Sequence, residues 1–393
     1  MTVGAIESKD TTNIQIVPVE GKALRRAFVD LPFRLYSHDE NWVPPLKSEV
    51  HDLLSPRRNP WFEHGRTHLL LAMRNGAVVG RISAHIDDLA LAQPEKQGLG
   101  PGTGFWGFLE ADSAETTHAL LDAAESWLVV RGVSKIIGPF SLSYWDEIGL
   151  LVEGFDSPPT VMMGFNARAY ASWVASYGYV SVEDTHTYQV PLTPGFPDLC
   201  NKIVAAGERN SRIRIRKVDR KKFAEETAII VGLINDAWSS NWGFVPFTEA
   251  EVAHAAHKLK PLVFESLIRI AEVDGTPAAF MMVLPDANER LRSFNGRLLP
   301  FNWVKLLLWL RKPKVDRLRV PLMGVASELH GTRLASQLAL MLIEYIRRDA
   351  VPTFGAHTGE FGWVLKSNGS MLSIADVVGG VINKTYRIFE KRL

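Results

Sequence analysis

Apolar residues in the second half of the chain change period several times, and each change marks an element. Leu267 to Val273 and Ala278 to Leu284 are short apolar runs joined by Asp274-Gly275, which predicts a β-hairpin with a turn dipeptide. The run from Leu318 to Val325 reads as a further strand. After Gly331 the apolar positions fall at Leu334, Leu338, Met341, Leu342, Tyr345 and Ile346, which is helical spacing. A short strand is expected around Thr353 to His357. The run Gly362 to Asn368, a short helix, Gly379-Gly380 and a closing strand from Val381 to Phe389 follow it.

The first half reads in the same order. His68 to Met73, Asn75-Gly76 and Val78 to Ile86 form a second hairpin candidate, and Phe105 to Glu110 a strand. Leu120, Leu121, Ala124, Trp127 and Leu128 mark one face of a helix, Lys135 to Pro139 is the next strand, and Asn166 leads a short helix ending near Gly178. The hairpin glycines lie 199 residues apart (275 minus 76) and the asparagines 202 apart (368 minus 166), offsets that favour a tandem repeat.

The turn from Val325 to Ala335 lies between a strand and a long helix. Its first-turn N–H groups and the helix dipole favour an anion, and Gly331 lets backbone approach closely. The plainer reading is the ordinary start of a helix in an α/β protein. Hairpin, strand, cradle helix, strand, Asn-led helix and final strand is the order of the GNAT (acetyltransferase-like) fold, which residues 220–393 resemble. More narrowly, NDAWSSNWGFVPF, PDANE, NGRL, GWVLKSN and KTYRIFEK resemble a bacterial branch of GNAT-like proteins that includes the bacterial ceramide synthases.

The resemblance implies an α/β protein of tandem GNAT-like folds, each a mixed, mostly antiparallel sheet flanked by helices. Residues 1–200 would form an N-terminal unit without a cofactor, and residues 201–393 the acyl-CoA-binding unit. In the first half the matching turn, Glu110 to Thr116, has no glycine and three carboxylates, which repel a second anion. The implied activity is acyl-CoA-dependent N-acyl transfer, with a long acyl chain delivered to the amine of a sphingoid-type lipid. A soluble amine, or a non-catalytic acyl-CoA-sensing and membrane-docking pair, are the alternatives. Backbone N–H groups at Gly324, Val325 and Ala326 would meet the acyl carbonyl. His330, Gly331, Thr332 and Arg333 would hold pyrophosphate, with Asn368 leading the next helix. The family's Q/R-x-x-G-x-G/A pattern appears here as His330-x-x-Arg333-x-Ala335, so an arginine replaces one glycine.

Two carboxylate pairs are catalytic candidates: Asp286 with Glu289, and Asp146 with Glu147, which interrupt an apolar stretch. A helix cap or buried ion pair is the other reading of either. The position where the superfamily often carries an acidic tyrosine holds Ala375, so that role is vacant or shifts to Tyr386 or water. Asn241, Trp242 and Phe244 form a substrate wall or a packing corner, and Asn295, in NGRL, is a further substrate-binding candidate. No metal is expected, because Glu251, His254 and His257 recur on a predicted helix without the spacing of a metal site.

Composition narrows the picture further. At 393 residues, with 46% apolar and 22% charged, two domains are expected, and a net charge of +1 gives no global field for nucleic acid. A basic run from Arg209 to Lys222 lacks interleaved aromatics, leaving a solvated strand face, the 3′-phosphate of CoA or an anionic membrane as readings. Cys200 is the only cysteine, which excludes an intramolecular disulfide, and it reads as a buried small residue. Met1 to Asn13 is polar and lacks the pattern of a signal peptide, so a cytoplasmic location is expected. Residues 298–313 are too short to span a bilayer. Their tryptophans and flanking cations fit an interfacial helix on the cytoplasmic face of the inner membrane, and their leucines fit a core helix equally well.

Overall fold

The computed structural model describes residues 14–393, and the polar stretch Met1 to Asn13 lies outside them. The strands of the first half are β1 (Gln15–Pro18), β2 (Gly65–Arg74), β3 (Ala77–Asp87), β4 (Thr103–Ala111), β5 (Lys135–Gly138), β6 (Leu150–Glu153) and β7 (Val180–Pro191). The second half supplies β8 (Ile213–Lys217), β9 (Ile268–Val273), β10 (Thr276–Pro285), β11 (Arg317–Val325), β12 (Thr358–Leu365) and β13 (Val381–Arg392). Both hairpins form where expected, with Asn75 and Asp274 at positive φ beside their glycines, the geometry a tight turn requires.

Among the described residues, all thirteen strands join one sheet in the order β1-β2-β3-β4-β5-β13-β7-β12-β11-β10-β9-β8, with β6 pairing β13 off this path. The pairs β4–β5 and β11–β12 are parallel and the rest antiparallel. The closing strands change sides. β13, from the end of the chain, lies between β5 and β7, while β7, from the first half, pairs with β12. Most central strands, such as β10 with its run Ala278 to Pro285, are buried on both faces, as a sheet covered by helices demands. One core gathers under the helix Arg333–Phe354, and another under Ala114–Val129.

One expectation is corrected. The strand expected at 353–357 is instead the end of the helix Arg333–Phe354, and the strand begins at Thr358. Ala350 and Phe354 are both buried on the core face, which continues the helical pattern past Pro352 until Gly355 caps it at positive φ. The basic run is largely ion-paired: Arg212 with Asp274, Arg216 with Glu226 and Glu272, and Lys217 with Asp349. It forms the charged outer edge of the sheet on β8, which discourages pairing with another chain.

The helix Glu249–Leu259 has no buried residue and lies across the front of the molecule, tied to the first half through His64. As an imidazolium, His64 donates to Asp87 at 2.9 Å and to Glu251 at 3.2 Å. Burial alone would lower its pKa, but the hydrogen bonds to the two carboxylates outweigh this and hold it at about 10. A raised folded-state pKa gives stability that is complete below the ordinary value of 6.5 and disappears as pH climbs through about 10. The stability difference between the parent and a His64→Ala variant, measured by urea unfolding, should therefore shrink steadily between those two pH values. A constant difference would show that the imidazolium is not the tie.

Candidate active site

β11 and β12 pair only from Arg317↔Thr358 to Val320↔Phe361 and then diverge. Pro321, which has no N–H to give, stands where they part, and the β10–β11 register slips at the same place. The gap between them is a cavity of about 110 Å³, lined by Val320, Pro321, Met323, Val364, Met371 and Ile374 among others. Among the described residues, the matching place between β4 and β5 in the first half is closed. There the Phe140 N–H closes onto the Trp106 carbonyl at 2.8 Å, a Cβ on Gly107 would run into the Phe140 carbonyl, and Trp106 lies flat against Gly138.

Strand alternation decides which backbone groups face the gap. The Ala326 N–H donates to Ala278 at 2.8 Å, so Ala326 and, two residues back, Gly324 point toward β10. Val325 and Met323 point the opposite way, toward the gap. Of the three expected donors, Val325 alone therefore faces the opening, and Met323 joins it. The Met323 carbonyl accepts the Trp238 indole N–H at 3.0 Å.

At the cradle, Thr332 caps the helix by accepting from Ala335, and Gly331 has φ +75° with open space where a Cβ would stand. Arg333 is exposed at the first helical residue and leaves this space clear. His330 turns back, its Nε2 bonded to the Val325 carbonyl at 2.8 Å, so it braces the turn rather than projecting from it. Asp236, from the NDAW stretch, accepts from the Ser327 N–H and hydroxyl at 2.6 and 2.7 Å and fixes the preceding residues. Asn368 caps its helix through Met371 and also lines the gap.

Behind the strands lies a much larger cavity, about 790 Å³, with predominantly apolar walls and the helix Glu249–Leu259 as roof. The two spaces share Tyr144, Trp238, Pro321 and Trp363 as lining. The loop carrying Tyr144, Asp146 and Glu147 comes from the first half and meets the second half's tryptophan-rich loop. The Trp145 indole donates to Val245 at 2.9 Å and its ring stacks on Phe247 at 3.7 Å. Asn241 lines the narrow gap, whereas Trp242 packs on Gly98 and Phe244 is buried against Tyr144 and Trp145, forming the packing corner.

The carboxylates divide by partner. Asp146 accepts from the Ser143 N–H and hydroxyl at 3.2 and 2.7 Å, and burial pushes it up to about 6 against those bonds. It braces its own loop. Glu147 lines the cavity, is reached by solvent through it, and makes no side-chain hydrogen bond among the described residues. Surrounding protein raises its pKa, Arg81 opposes the rise and Asp146 adds to it. Arg81 and Glu110 also line this wall. Burial pushes Glu110 up to about 7 although Tyr36 and Tyr170 both donate to it.

The other candidates lie elsewhere. Asp286 is fully buried in an ion pair with Arg317 at 2.7 Å and accepts from the Val161 N–H at 2.8 Å. Glu289 accepts from the backbone of Asp316 and Arg317. Tyr386 is buried with its hydroxyl donating to the Gly164 carbonyl at 3.0 Å, and Asn295 is an exposed turn residue with φ 45°. Each has its polar groups committed to local structure, or lies away from both cavities. Tyr144, Trp363 and Arg319 were not singled out, whereas Trp238 lies in the NDAWSSNWGFVPF stretch that carries the expected substrate wall. The density of tryptophan in two loops is the only sequence signal that bears on them.

No protein-family model matches the chain. Among solved structures, a tandem GNAT protein from the clavulanic acid biosynthesis pathway aligns over 97% of this chain and 98% of its own, with a TM-score of 0.55 at 13% identity, a likeness of fold. A GNAT-related acetyltransferase from Sphaerobacter thermophilus aligns over 96% and 95%, with a TM-score of 0.52 at 11% identity. Twice-repeated topology, one open strand gap and these neighbours define the class, a tandem GNAT fold. The chain is also 38% identical over 387 residues to the bacterial ceramide synthase of Caulobacter vibrioides (strain NA1000 / CB15N), spanning 98% of this chain and 99% of that one. Protein YghO of Escherichia coli (strain K12) is 38% identical over 374 residues, 94% and 93% of the two chains. The chain belongs to the bacterial ceramide synthase branch of the GNAT-like proteins, and it is an N-acyltransferase.

The partner pattern separates the two carboxylate pairs by experiment. Asp286→Asn should cost roughly 3 kcal/mol in denaturant unfolding, because Arg317 loses the partner of a buried pair, while the folded fraction keeps its turnover. Glu147→Gln should leave the unfolding midpoint within about 0.5 kcal/mol and lower kcat by roughly 10²–10⁴-fold. The reverse pattern would exchange the roles.

Proposed function

We propose that the protein transfers a long acyl group from acyl-CoA to the amine of a sphingoid-type lipid. The observation that carries this reading is the meeting of a narrow strand gap and a large apolar cavity at Tyr144, Trp238, Pro321 and Trp363, with Glu147 in the cavity wall. The gap suits an extended thiol arm laid between β11 and β12, with its anionic end at Gly331 and Thr332 and the first helical N–H groups. The cavity suits hydrocarbon, which gains by leaving water at about 25 cal/mol per Å² of apolar surface. A small soluble amine would leave most of that space unfilled.

In this reading the thioester carbonyl lies beside Met323 and Val325, whose N–H groups face the gap and stabilise the charge developing on oxygen. Glu147 takes the proton from the attacking neutral amine, the C–N bond forms and the C–S bond breaks, and Glu147 returns that proton to the departing thiolate, giving amide and free thiol. Residues 1–200 and 201–393 act as two GNAT-like units, and the first half's blocked gap supports placing acyl-CoA in the second alone. The identity of the family relative named a ceramide synthase supports the sphingoid acceptor. Contact with the cytoplasmic face of the inner membrane through residues 298–313 belongs to the same reading. Among the described residues no helix is long and apolar enough to cross a membrane.

The test is to incubate the protein with a long-chain acyl-CoA and a sphingoid amine and follow amide by mass spectrometry and free thiol by colour. Amide and thiol should appear in equal amounts, and the rate should fall as pH drops through a value above the 4.5 of an ordinary glutamate, because Glu147 must be ionised to accept a proton. Gly331→Glu, placing bulk and negative charge in the cradle, should raise KM for acyl-CoA at least tenfold without loss of folding. Unchanged KM would remove the cradle from the site. Thiol release without amide would remove the amine acceptor.

A further inference from the structure

The face beside the cavity carries a concentration of charge and apolar surface that acyl transfer does not use. From Arg290 to Lys314 the chain holds seven basic residues, Arg290, Arg292, Arg297, Lys305, Arg311, Lys312 and Lys314, and no acidic one, in a protein whose net charge is only +1. Interleaved with them are six exposed large apolar side chains, Leu299, Phe301, Trp303, Val304, Leu307 and Leu308, of which Leu299 and Phe301 are 74% and 72% exposed. The helix Asn302–Arg311 has no buried residue. Trp309 is turned inward and packs on the core under the long helix, so the apolar surface is one-sided: Val304, Leu307 and Leu308 face out while Leu306, Trp309 and Leu310 are partly covered. Soluble proteins rarely leave such a patch uncovered, and one-sided apolar surface rimmed by cations is the pattern of an interfacial segment.

The same segment adjoins the cavity. Leu291, just before it, lines the cavity together with Trp42, Val43, Pro44, Pro45 and Leu46 from the first half. That second stretch is bonded to the turn leading into the helix. The Lys47 N–H donates to the Gly296 carbonyl at 3.0 Å, and a Cβ on Gly296 would lie 2.8 Å from the Pro45 carbonyl. Pro45 itself is exposed. Cavity wall and apolar patch are thus held together as one surface.

We infer that residues 297–312 dock on an anionic bilayer and that the cavity opens beside them, between residues 42–46 and Leu291, so that the lipid amine passes from the bilayer into the cavity without crossing water. This inference rests on the proposed lipid acceptor and names its route and its surface. Outward cations meet lipid phosphate, each adding about 1 kcal/mol near the surface, and Phe301, Leu307 and Leu308 enter the acyl boundary.

Cys200 is buried, so a cysteine introduced on the surface can be labelled alone. Full-length Phe301→Cys, Pro45→Cys and Ser336→Cys proteins would carry a polarity-sensitive fluorophore and meet vesicles of phosphatidylglycerol and phosphatidylcholine with a lipid-borne quencher. Labels at positions 301 and 45 should be quenched, and the label at exposed Ser336 should not. Quenching at 301 alone overturns the route. Quenching at none, or equally with phosphatidylcholine alone, overturns the anionic surface, as does concentration-dependent dimerisation through this patch without vesicle binding. In parallel, Phe301→Glu with Leu307→Glu should lower vesicle binding and turnover of vesicle-borne amine at least tenfold, with an unchanged melting temperature and unchanged turnover of the same amine in detergent micelles. Equal loss in both presentations overturns the docking role. No amide in either presentation with the parent protein would instead mean that the acceptor reading has failed.

Discussion

The exchange of closing strands is the constraint on which the rest of the molecule depends. β13 runs antiparallel to β5 on one side and β7 on the other, so the last strand of the chain completes a sheet begun in the first half, and β7 returns the favour beside β12. At its centre Lys384 is fully buried, its ammonium satisfied by the carbonyls of Gly154 and Ser157 and by the Ser157 hydroxyl. Burial lowers its pKa to about 8, and only this set of acceptors makes the position tolerable. Because the halves share strands, the loop that follows β5 is held over the gap beside β11. Tyr144 and Glu147 owe their place to that geometry.

The two halves repeat one topology and differ in how the parallel strand pair ends. In the first, glycines at 107 and 138 let backbone and the Trp106 ring close the divergence, and the arginine Arg74 takes the carboxylate of Asp112 at the helix start. In the second, Pro321 gives no hydrogen bond at the corresponding point and the gap stays open. The polar groups follow the same division. Buried Arg319 lines the large cavity with its Nε and one terminal nitrogen lacking partners, a cost of roughly 1–3 kcal/mol per group that a purely structural wall would avoid. Asp286, buried beside Arg317 at 2.7 Å, by contrast serves to pin segments together through that ion pair and through the Val161 N–H.

Much was legible along the chain because its physics is local. Hairpin turns at Asn75-Gly76 and Asp274-Gly275, the long amphipathic helix, the Thr332 start and the tandem order follow from period, turn chemistry and capping, and the chain's resemblance pointed to the fold. Local rules also misled: a β-like Thr353–His357 stretch continued a helix because Phe354 completes its core face, and Asp286 and Glu289, attractive beside a strand end, are tied to Arg317 and to backbone.

What the tertiary structure alone decided is which residues meet. Asp146 and Glu147 are adjacent in sequence, equal in chemistry and both line the cavity, yet Asp146 is held by Ser143 while Glu147 makes no side-chain hydrogen bond among the described residues, a difference set by the direction of a single loop. Trp303 and Trp309 lie less than two turns apart on one helix and face opposite surroundings. Period fixes how residues are spaced on an element, and so the sequence determined the elements and their order. The side each element presents depends on packing across a hundred residues of separation, as between Trp145 and Val245, and no local pattern carries that information.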